Sequence, residues 1–256
     1  MRLNKYLSDI GYCSRREGDR LIAEGRVCVD GAAASVGMQI EEGQTVSVDG
    51  KYVAPNSLNS SLNDPMGKVV IAYNKPVGVE CTSAKDNPDN IIDRINYPVR
   101  IYPIGRLDKA STGLILLTNN GELVNSILKS ENSHEKEYVV TVDKPVTRQF
   151  IQKMSDGVLL KDVPLRNKKG SDGRMERKTV DIMTKKCKAV RLDDNKFSIV
   201  LTQGVNRQIR RMCRALGYEV TSLHRVRVMN IVLDNLKTGE YREISGEELT
   251  ELLSKL

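Results

Sequence analysis

The chain has 256 residues, 39% of them hydrophobic and 29% charged, and its 40 lysines and arginines exceed its 33 acidic residues, which gives a net charge of +7. A chain of this length forms one large domain or a small domain beside a medium one, and its positive charge favours a polyanionic partner. Five scattered cysteines without a Cys-x-x-Cys pair, only two histidines and no apolar run of membrane-spanning length argue against a disulfide framework, a metal site and a membrane protein, so we expect a cytoplasmic chain.

The first fifty residues predict two short helices followed by a small sheet. Apolar residues at helical spacing indicate a helix that ends at Gly11, and Ser14-Arg15-Arg16-Glu17 is a capping box that opens a second helix. Alternating valines lead into Asp30-Gly31 and again into Asp49-Gly50, and each Asp-Gly pair predicts a tight hairpin turn.

The order of these pieces, R-L-N-K-Y-L at 2–7 and C-S-R-R-E-G-D-R-L-I-A-E-G-R-V-C-V-D-G at 13–31, resembles an S4 domain, a small RNA-binding module. The resemblance implies that the basic residues of the two helices face RNA phosphates, namely Arg2, Lys5, Arg15, Arg16 and Arg20. A solvated helix surface is the alternative for each one. The cluster favours phosphate contact, because several cations on one small surface repel each other unless a polyanion neutralises them.

Residues 54–67 are polar, bracketed by prolines and without periodicity, which predicts a linker between an N-terminal domain at 1–53 and a second domain at 68–256. In the second domain the patterns predict strands at 69–73, 114–117, 136–142, 179–183, 197–202 and 226–233, helices at 121–128, 147–154 and 245–256, and an exposed loop at 170–177. Thr147 is expected to cap one helix, and Ser245 with Glu248 to form a capping box on the last one. Many strands with few helices predict an α+β domain around a mixed, largely antiparallel sheet.

The stretch at 104–113, I-G-R-L-D-K-A-S-T-G, leads into four consecutive aliphatic residues that suit a buried strand. A single aspartate in a loop is usually a solvated residue. Asp108, however, stands at the edge of a buried strand with Arg106 two residues before it, and charges are rarely carried to such an edge unless they are paired or used. We therefore treat Asp108 as a candidate reactive carboxylate.

A basic helix is predicted at 206–217, with Asn206 as its N-cap and Gly217 at its end. Four arginines share one face of this helix: Arg207, Arg210, Arg211 and Arg214. Like charges three or four residues apart destabilise a helix, so this face predicts a polyanion or a buried carboxylate as its partner. The following strand continues the positive charge, and its His224 is expected to be a surface or partner-binding residue.

Three motifs in order, G-R-L-D-K-A-S-T-G, K-E-Y-V-V and G-V-N-R-Q-I-R-R-M-C-R-A-L-G-Y, together with the S4-like start, resemble the RsuA/RluB/RluE/RluF family of ribosomal RNA pseudouridine synthases. The N-R-Q-I-R-R-M-C wording resembles the RluF type, which acts on 23S rRNA. The resemblance implies that the partner is ribosomal RNA or a ribosomal assembly intermediate. We expect no cofactor, because the isomerisation gains no atoms, and no metal; we also expect a monomer, although no sequence pattern indicates the oligomeric state.

The resemblance also implies roles for individual residues. Asp108 is the catalytic aspartate, Arg210 pairs with it, and Tyr138 packs against the target uracil. Ile209 lines the base pocket, and Arg106 fills the gap left by the flipped nucleotide. The Lys-Pro-Val-Gly turn at 75–78 is mainly structural.

Breaking the N1–C1′ bond, turning the uracil and joining C5 to C1′ requires a group that starts the cleavage. An ionised Asp108 suits attack on C1′, attack on C6 or abstraction of a ribose proton, and all three routes stay open. A nearby arginine would keep the carboxylate ionised. A non-catalytic S4-type ribosome-associated factor is the alternative, but it leaves Asp108, Tyr138 and Arg210 without a role. An RNA methyltransferase needs a glycine-rich loop after its first strand, and the strand at 69–73 is not followed by one.

Overall fold

The computed structural model describes residues 1–54, 68–84, 86–128, 134–164, 168–169, 175–176 and 179–256. Two predictions, the linker at 54–67 and the exposed loop at 170–177, fall almost entirely outside these residues.

The N-terminal part forms two helices and a four-stranded antiparallel sheet with the strand order β2-β1-β3-β4. These elements are α1 (Leu3–Asp9), α2 (Arg15–Ala23), β1 (Val27–Val29), β2 (Ala32–Ala33), β3 (Val46–Val48) and β4 (Lys51–Val53). The predicted cap is present, because Ser14 Oγ accepts a hydrogen bond of 3.1 Å from the Glu17 amide. Both predicted hairpins are confirmed, with positive φ at each Asp and Gly of the two turns, as the tight two-residue turn requires.

The second part of the chain is built around one nine-stranded mixed sheet with the order β13-β14-β8-β15-β7-β5-β17, to which β16 and β6 add at β15 and β7. Its helices are α3 (Ile91–Ile95), α4 (Gly121–Leu128), α5 (Arg148–Asp156), α6 (Gln208–Ala215) and α7 (Gly246–Ser254). The strands of the sheet are β5 (Val70–Lys75), β6 (Tyr102–Ile104), β7 (Thr112–Thr118), β8 (Lys136–Val142), β13 (Lys188–Asp193), β14 (Lys196–Leu201), β15 (Val220–Val228), β16 (Ile231–Val232) and β17 (Tyr241–Glu243). The remaining short strands are β9 (Leu159–Pro164), β10 (Lys168–Lys169), β11 (Met175–Glu176) and β12 (Thr179–Met183).

Among the described strand pairs, β15 and β7 run parallel and the others antiparallel, which confirms the predicted largely antiparallel sheet. The continuous apolar run of β7 is explained by burial on both faces. Leu114 and Leu116 belong to a core cluster on one side of the sheet, and Ile115 and Leu117 to a cluster on the other. Within the described residues, no helix is long and apolar enough to cross a bilayer.

Two predicted helix caps are wrong. Asn206 does not cap α6, since Arg207 occupies the N-cap position with the left-handed φ of 51°. Ser245 makes no side-chain capping bond to α7. The Arg242 guanidinium instead donates two hydrogen bonds of 2.6 Å to the Glu248 carboxylate, one to each oxygen. The carboxylate that the capping box requires is therefore already occupied.

The predicted strand at 226–233 is in fact a hairpin. Strand β15 ends at Val228, the chain turns at Met229 with φ of 53°, and β16 pairs back onto β15. Arg225 does not continue a positive surface, because its side chain is buried and its Nε donates to the Leu114 carbonyl at 2.6 Å. His224 is half-buried, and its Nδ1 lies 2.8 Å from Thr112 Oγ1.

Candidate active site

Asp108 lies in the loop between β6 and β7, and this loop is tied to its surroundings through its backbone. The Ser111 amide donates to the Asp108 carbonyl at 2.9 Å, so the loop folds back on itself at the aspartate. On one side the Leu107 amide donates to Cys81 Sγ at 3.3 Å, and on the other the Gly78 amide donates to the Lys109 carbonyl at 2.9 Å. The carboxylate therefore stands on a loop that is fixed both before and after it.

Lys75 lies beneath this loop, at the end of β5, and is fully buried. Its Nζ donates to the carbonyls of Val79 at 2.8 Å and Pro76 at 2.9 Å, and it approaches the Lys109 carbonyl at 3.5 Å. Burial lowers the pKa of Lys75, and the nearby Asp108 opposes this by favouring the charged ammonium. The lysine thus joins the Pro-Val-Gly turn to the loop that carries Asp108.

Two arginines from the start of α6 approach the Asp108 carboxylate. Arg207 Nη1 lies 3.4 Å from Asp108 Oδ2, and Arg210 Nε lies 3.9 Å from the same oxygen. The Asp108 side chain keeps 30% of its surface exposed, so it is open to a ligand on one side. The structure therefore brings together the two residues that the family resemblance pairs, and it adds Arg207 as a nearer cation.

Arg210 is held in place by the loop that carries Asp108 and by β15 rather than by the Asp108 carboxylate. Its Nη2 donates to the Ala110 carbonyl at 3.1 Å and to Ser111 Oγ at 3.4 Å, and its Nη1 donates to the Val220 carbonyl at 3.2 Å. Its Nε is buried and has no hydrogen-bond partner among the described residues. Burial lowers the pKa of Arg210, and the charge of Arg207 acts in the same direction. Arg210 Nε is therefore the nitrogen of this side chain nearest the Asp108 carboxylate, at 3.9 Å, but it forms no hydrogen bond to it.

Arg207 owes its position to the left-handed backbone at the start of α6. The backbone turns at Arg207, where φ is 51°, one residue before the helix begins. Positive φ is uncommon for residues other than glycine. The turn is held by the Gln208 side chain, whose Oε1 accepts from the Val205 amide at 3.1 Å. An arginine held in this conformation reaches the carboxylate from the N-cap position, one turn of the helix before Arg210.

Tyr138 and Ile209 lie where two core clusters meet. Tyr138 is half-buried in β8 and packs against both the cluster that contains Leu107 and the cluster that contains Ile209. In the sheet it pairs with Ile199 on one side and Arg225 on the other. Ile209 is buried in α6 next to Arg210. Tyr138 therefore connects the cluster of Leu107, the residue before Asp108, to the cluster of Ile209, the residue before Arg210.

Arg106 and Lys109 flank Asp108 and point toward acidic residues of the loop that precedes α3. The Arg106 side chain is 74% exposed, with its Nη2 4.0 Å from Glu80 Oε1. Lys109 Nζ lies 2.7 Å from Asp89 Oδ2. The exposed guanidinium of Arg106 stands two residues from the carboxylate and is available to a large ligand.

The five basic residues predicted on the N-terminal helices fall into two groups. Lys5 lies 2.8 Å from Glu122 at the start of α4, and Arg20 lies 2.5 Å from Glu17 and 2.9 Å from Glu24. Arg2, Arg15 and Arg16 are exposed, and in the described part of the chain no carboxylate forms an ion pair with them. Among the described residues, three of the five predicted basic side chains therefore remain without an ion pair, so fewer cations are available for phosphate than the sequence indicates.

Several features of the site escaped the sequence patterns. The approach of Arg207 to Asp108 depends on a backbone conformation that no residue type predicts. Strands β9 and β13 were missed, although the alternation K-A-V-R-L-D before the turn Asp194-Asn195 is a strand signal for β13. Among the described residues, no group of His, Cys, Asp and Glu is arranged to hold a metal ion.

Comparison with known proteins gives two family matches and many similar chains. The RNA pseudouridylate synthase family model matches residues 69–215, and the S4 domain model matches residues 1–53. The chain is 46% identical over 98% of its length to "Dual-specificity RNA pseudouridine synthase RluF" of Salmonella typhi, covering 78% of that protein. It is 30% identical over 98% of its length to "Ribosomal large subunit pseudouridine synthase B" of Bacillus subtilis, covering 95% of that protein.

A solved structure described as "Crystal structure of pseudouridylate synthase" has a similar fold. It superposes with a TM-score of 0.63 at 28% sequence identity, covering 98% of this chain and 99% of the other. Both parts of the chain are therefore included in the similarity.

Proposed function

We propose, given that this chain belongs to the RNA pseudouridylate synthase family and is an RNA pseudouridine synthase, that it isomerises a specific uridine of 23S ribosomal RNA to pseudouridine with Asp108 as its catalytic carboxylate. The names of its relatives support the ribosomal substrate, since one is an RluF and another acts, by its name, on the large ribosomal subunit.

The observation that carries the catalytic assignment is the approach of two guanidinium groups to one carboxylate oxygen. Arg207 Nη1 at 3.4 Å and Arg210 Nε at 3.9 Å each place a positive charge beside the same oxygen, Asp108 Oδ2. The carboxylate is partly exposed, so a nucleoside has access to it, and its loop is fixed by backbone bonds on both sides. An anionic group held ready for reaction needs little rearrangement when the substrate arrives.

The reaction breaks the N1–C1′ bond of uridine, turns the uracil and forms a C5–C1′ bond, after which C5 loses its proton and N1 takes up a proton. The product has the same atoms as the substrate, so no co-substrate takes part. Asp108 starts the cleavage in its ionised form, by attack on C1′ or C6 or by removal of a ribose proton. The same carboxylate is then suited to accept the C5 proton.

The apolar layer around the carboxylate is suited to hold the detached uracil. Tyr138 offers a π-face, and stacking of a base on an aromatic ring contributes about 1–3 kcal/mol. Ile209, a buried residue of the cluster against which Tyr138 packs, supplies an apolar side chain next to Arg210 in the sequence. The target must first leave its stack, and the exposed Arg106 is placed to fill the space that the flipped nucleotide leaves.

We assign residues 1–53 to an S4 domain that binds RNA phosphates, residues 54–67 to a linker and residues 68–256 to the catalytic domain. The ranges of the two family matches support this division. In the S4 domain, Arg2, Arg15 and Arg16 are the cations best placed for phosphate, since Lys5 and Arg20 already contact carboxylates.

The catalytic assignment is tested by replacing Asp108 with asparagine. Asp108→Asn keeps the shape of the side chain but removes its charge, so we expect no tritium release from C5-labelled rRNA and unchanged RNA affinity. Asp156→Asn, which removes an exposed carboxylate at the end of α5, is the matched control and keeps full activity. Turnover by Asp108→Asn would contradict the assignment.

The target is identified by mapping pseudouridines in ribosomal RNA from cells with and without this chain. The proposal expects the loss of at least one pseudouridine in 23S rRNA. Loss from another RNA, with 23S rRNA unchanged, would contradict the choice of substrate.

A further inference from the structure

A groove of about 530 Å³ opens between α6 and β9, directly beside the candidate active site. Five cationic side chains line it: Arg207, Arg210, Arg211 and Arg214 from α6 and its N-cap, and Lys161 from β9. Among the residues that the structure describes, no carboxylate is part of the lining. A concave surface with one sign of charge raises the local concentration of a polyanion.

The cations of the groove differ in how far their charge is already neutralised. Arg214 Nε lies 3.0 Å from Glu219 Oε1, and Arg207 shares the Asp108 carboxylate with Arg210. Arg211 Nε donates to the Asn206 carbonyl at 3.2 Å, which leaves its charge unbalanced. In the described part of the chain neither Arg211 nor Lys161 forms an ion pair, and these two side chains stand on opposite walls.

The groove also carries an apolar surface between its charges. Leu159 is 45% exposed and lies on the same side of β9 as Lys161, because residues two apart on a strand share a face. Ala215, exposed on α6, faces the groove as well. Cations for phosphates beside apolar side chains for sugars and bases suit a nucleotide chain better than an isolated anion.

The groove shares two side chains with the candidate active site. Arg207 and Arg210 line it and also lie 3.4 Å and 3.9 Å from the Asp108 carboxylate, so a nucleotide in the groove is a near neighbour of one at Asp108. From Arg207 to Arg214 a helix rises roughly 10.5 Å, at about 1.5 Å per residue. At about 3.4 Å per phosphate along a stacked strand, this length spans about three phosphates.

From this geometry we infer that the α6–β9 groove binds two or three nucleotides of the single strand that directly flanks the target uridine, with Arg211 and Lys161 contacting their phosphates. The inference rests on the proposed function, because it assumes that the nucleotide at Asp108 is the uridine to be isomerised. It assigns a binding role to β9, an element that no sequence motif singles out.

The test measures the binding of a labelled rRNA stem-loop, spanning the mapped uridine, at several salt concentrations. Two shortened RNAs lack the three nucleotides on the 5′ side or on the 3′ side of the target. The variants are Lys161→Gln and Arg211→Gln, on opposite walls of the groove, so a folding defect in one does not decide the result. Lys188→Gln is the matched control, since Lys188 is an exposed lysine of β13 that lines a separate cavity.

We expect each groove variant to weaken binding of the complete RNA roughly tenfold, the loss of one charged hydrogen bond. The slope of log affinity against log salt becomes shallower by about 0.7 per variant, the value for one contact to a single strand. One of the shortened RNAs lacks the phosphates that both side chains contact, so it binds the wild-type protein more weakly than either variant binds the complete RNA. With that shortened RNA the variants and wild type are equal, while Lys188→Gln matches wild type throughout.

Equal weakening of the complete and both shortened RNAs by the groove variants would overturn the inference, as would unchanged binding by both variants. Failure of the proposed function has a different signature. In that case the wild-type protein would form no pseudouridine in any of the three RNAs, while the length-dependent binding persisted.

Discussion

Gly113→Ala should be one of the most destabilising small substitutions in this protein. Gly113 is the second residue of β7 and lies opposite Arg225 of β15. These two parallel strands join the two halves of the sheet. Its φ is 98°, and a Cβ added there would lie 2.7 Å from the Arg225 amide nitrogen and closer still to its carbonyl oxygen. Both of these atoms are backbone, so no side-chain rotation relieves the contact.

Two costs add at this position. A non-glycine residue at this φ costs about 1–3 kcal/mol of backbone strain. Forcing the two strands apart costs about 1–3 kcal/mol more, as for other overpacked core positions. The expected loss is therefore about 4 kcal/mol of a total stability of about 5–15 kcal/mol.

Two matched variants separate these costs. Gly239→Ala has the same kind of backbone, with φ of 85°, but open space around the added carbon, so only the strain is expected. Gly204→Ala has open space as well, without the positive φ, and should be close to neutral. Urea unfolding followed by circular dichroism and tyrosine fluorescence, in a chain without tryptophan, gives the three stabilities. Equal losses for Gly113→Ala and Gly239→Ala would refute the steric argument.

Three further predictions concern binding, activity and pH. Arg16→Gln should weaken rRNA binding and lower its salt dependence. Arg20→Gln should change neither property, because Glu17 and Glu24 already neutralise the charge of Arg20. Filter binding at two salt concentrations measures the affinity and its salt dependence. Lys75→Met should lower the rate at saturating RNA by roughly tenfold or more, because the loop that carries Asp108 loses its hydrogen bond to a buried lysine. Single-turnover kinetics measure this rate. Burial lowers the pKa of His224 below its ordinary value of 6.5, so on acidification the unfolded chain binds the proton before the folded one does. The free energy of unfolding therefore falls as the pH drops below about 6.5. His224→Gln should make this fall smaller, as measured by urea titrations at about pH 7.5 and about pH 5.5.

Elements set by neighbouring residues were predictable from the sequence. The Ser14 cap, the Thr147 cap and the two Asp-Gly hairpins each depend on two or three adjacent residues, and all of them are present. The buried strand β7 was predicted for a similar reason, since four aliphatic residues in a row have to be buried wherever the strand is placed.

Elements set by competition between distant residues were not predictable. Glu248 could cap its own helix or pair with Arg242, and the ion pair prevails because it satisfies both carboxylate oxygens. Asn206 is a better capping residue than Arg207, yet the chain takes its left-handed turn at Arg207 and brings that side chain to Asp108. A local pattern ranks the candidates for a position, but the partner that decides between them comes from another part of the chain.

The carboxylate and the arginines of the candidate active site are synthesised at different times, because they are far apart in the sequence. Asp108 and Arg207 are 99 residues apart, and β15, which closes the sheet beside β7, comes later still. At about 5–20 residues per second, the ribosome adds the guanidinium groups roughly 5–20 s after the carboxylate. The N-terminal helices and their exposed arginines emerge well before that, so a nascent chain can hold RNA before it is able to modify it.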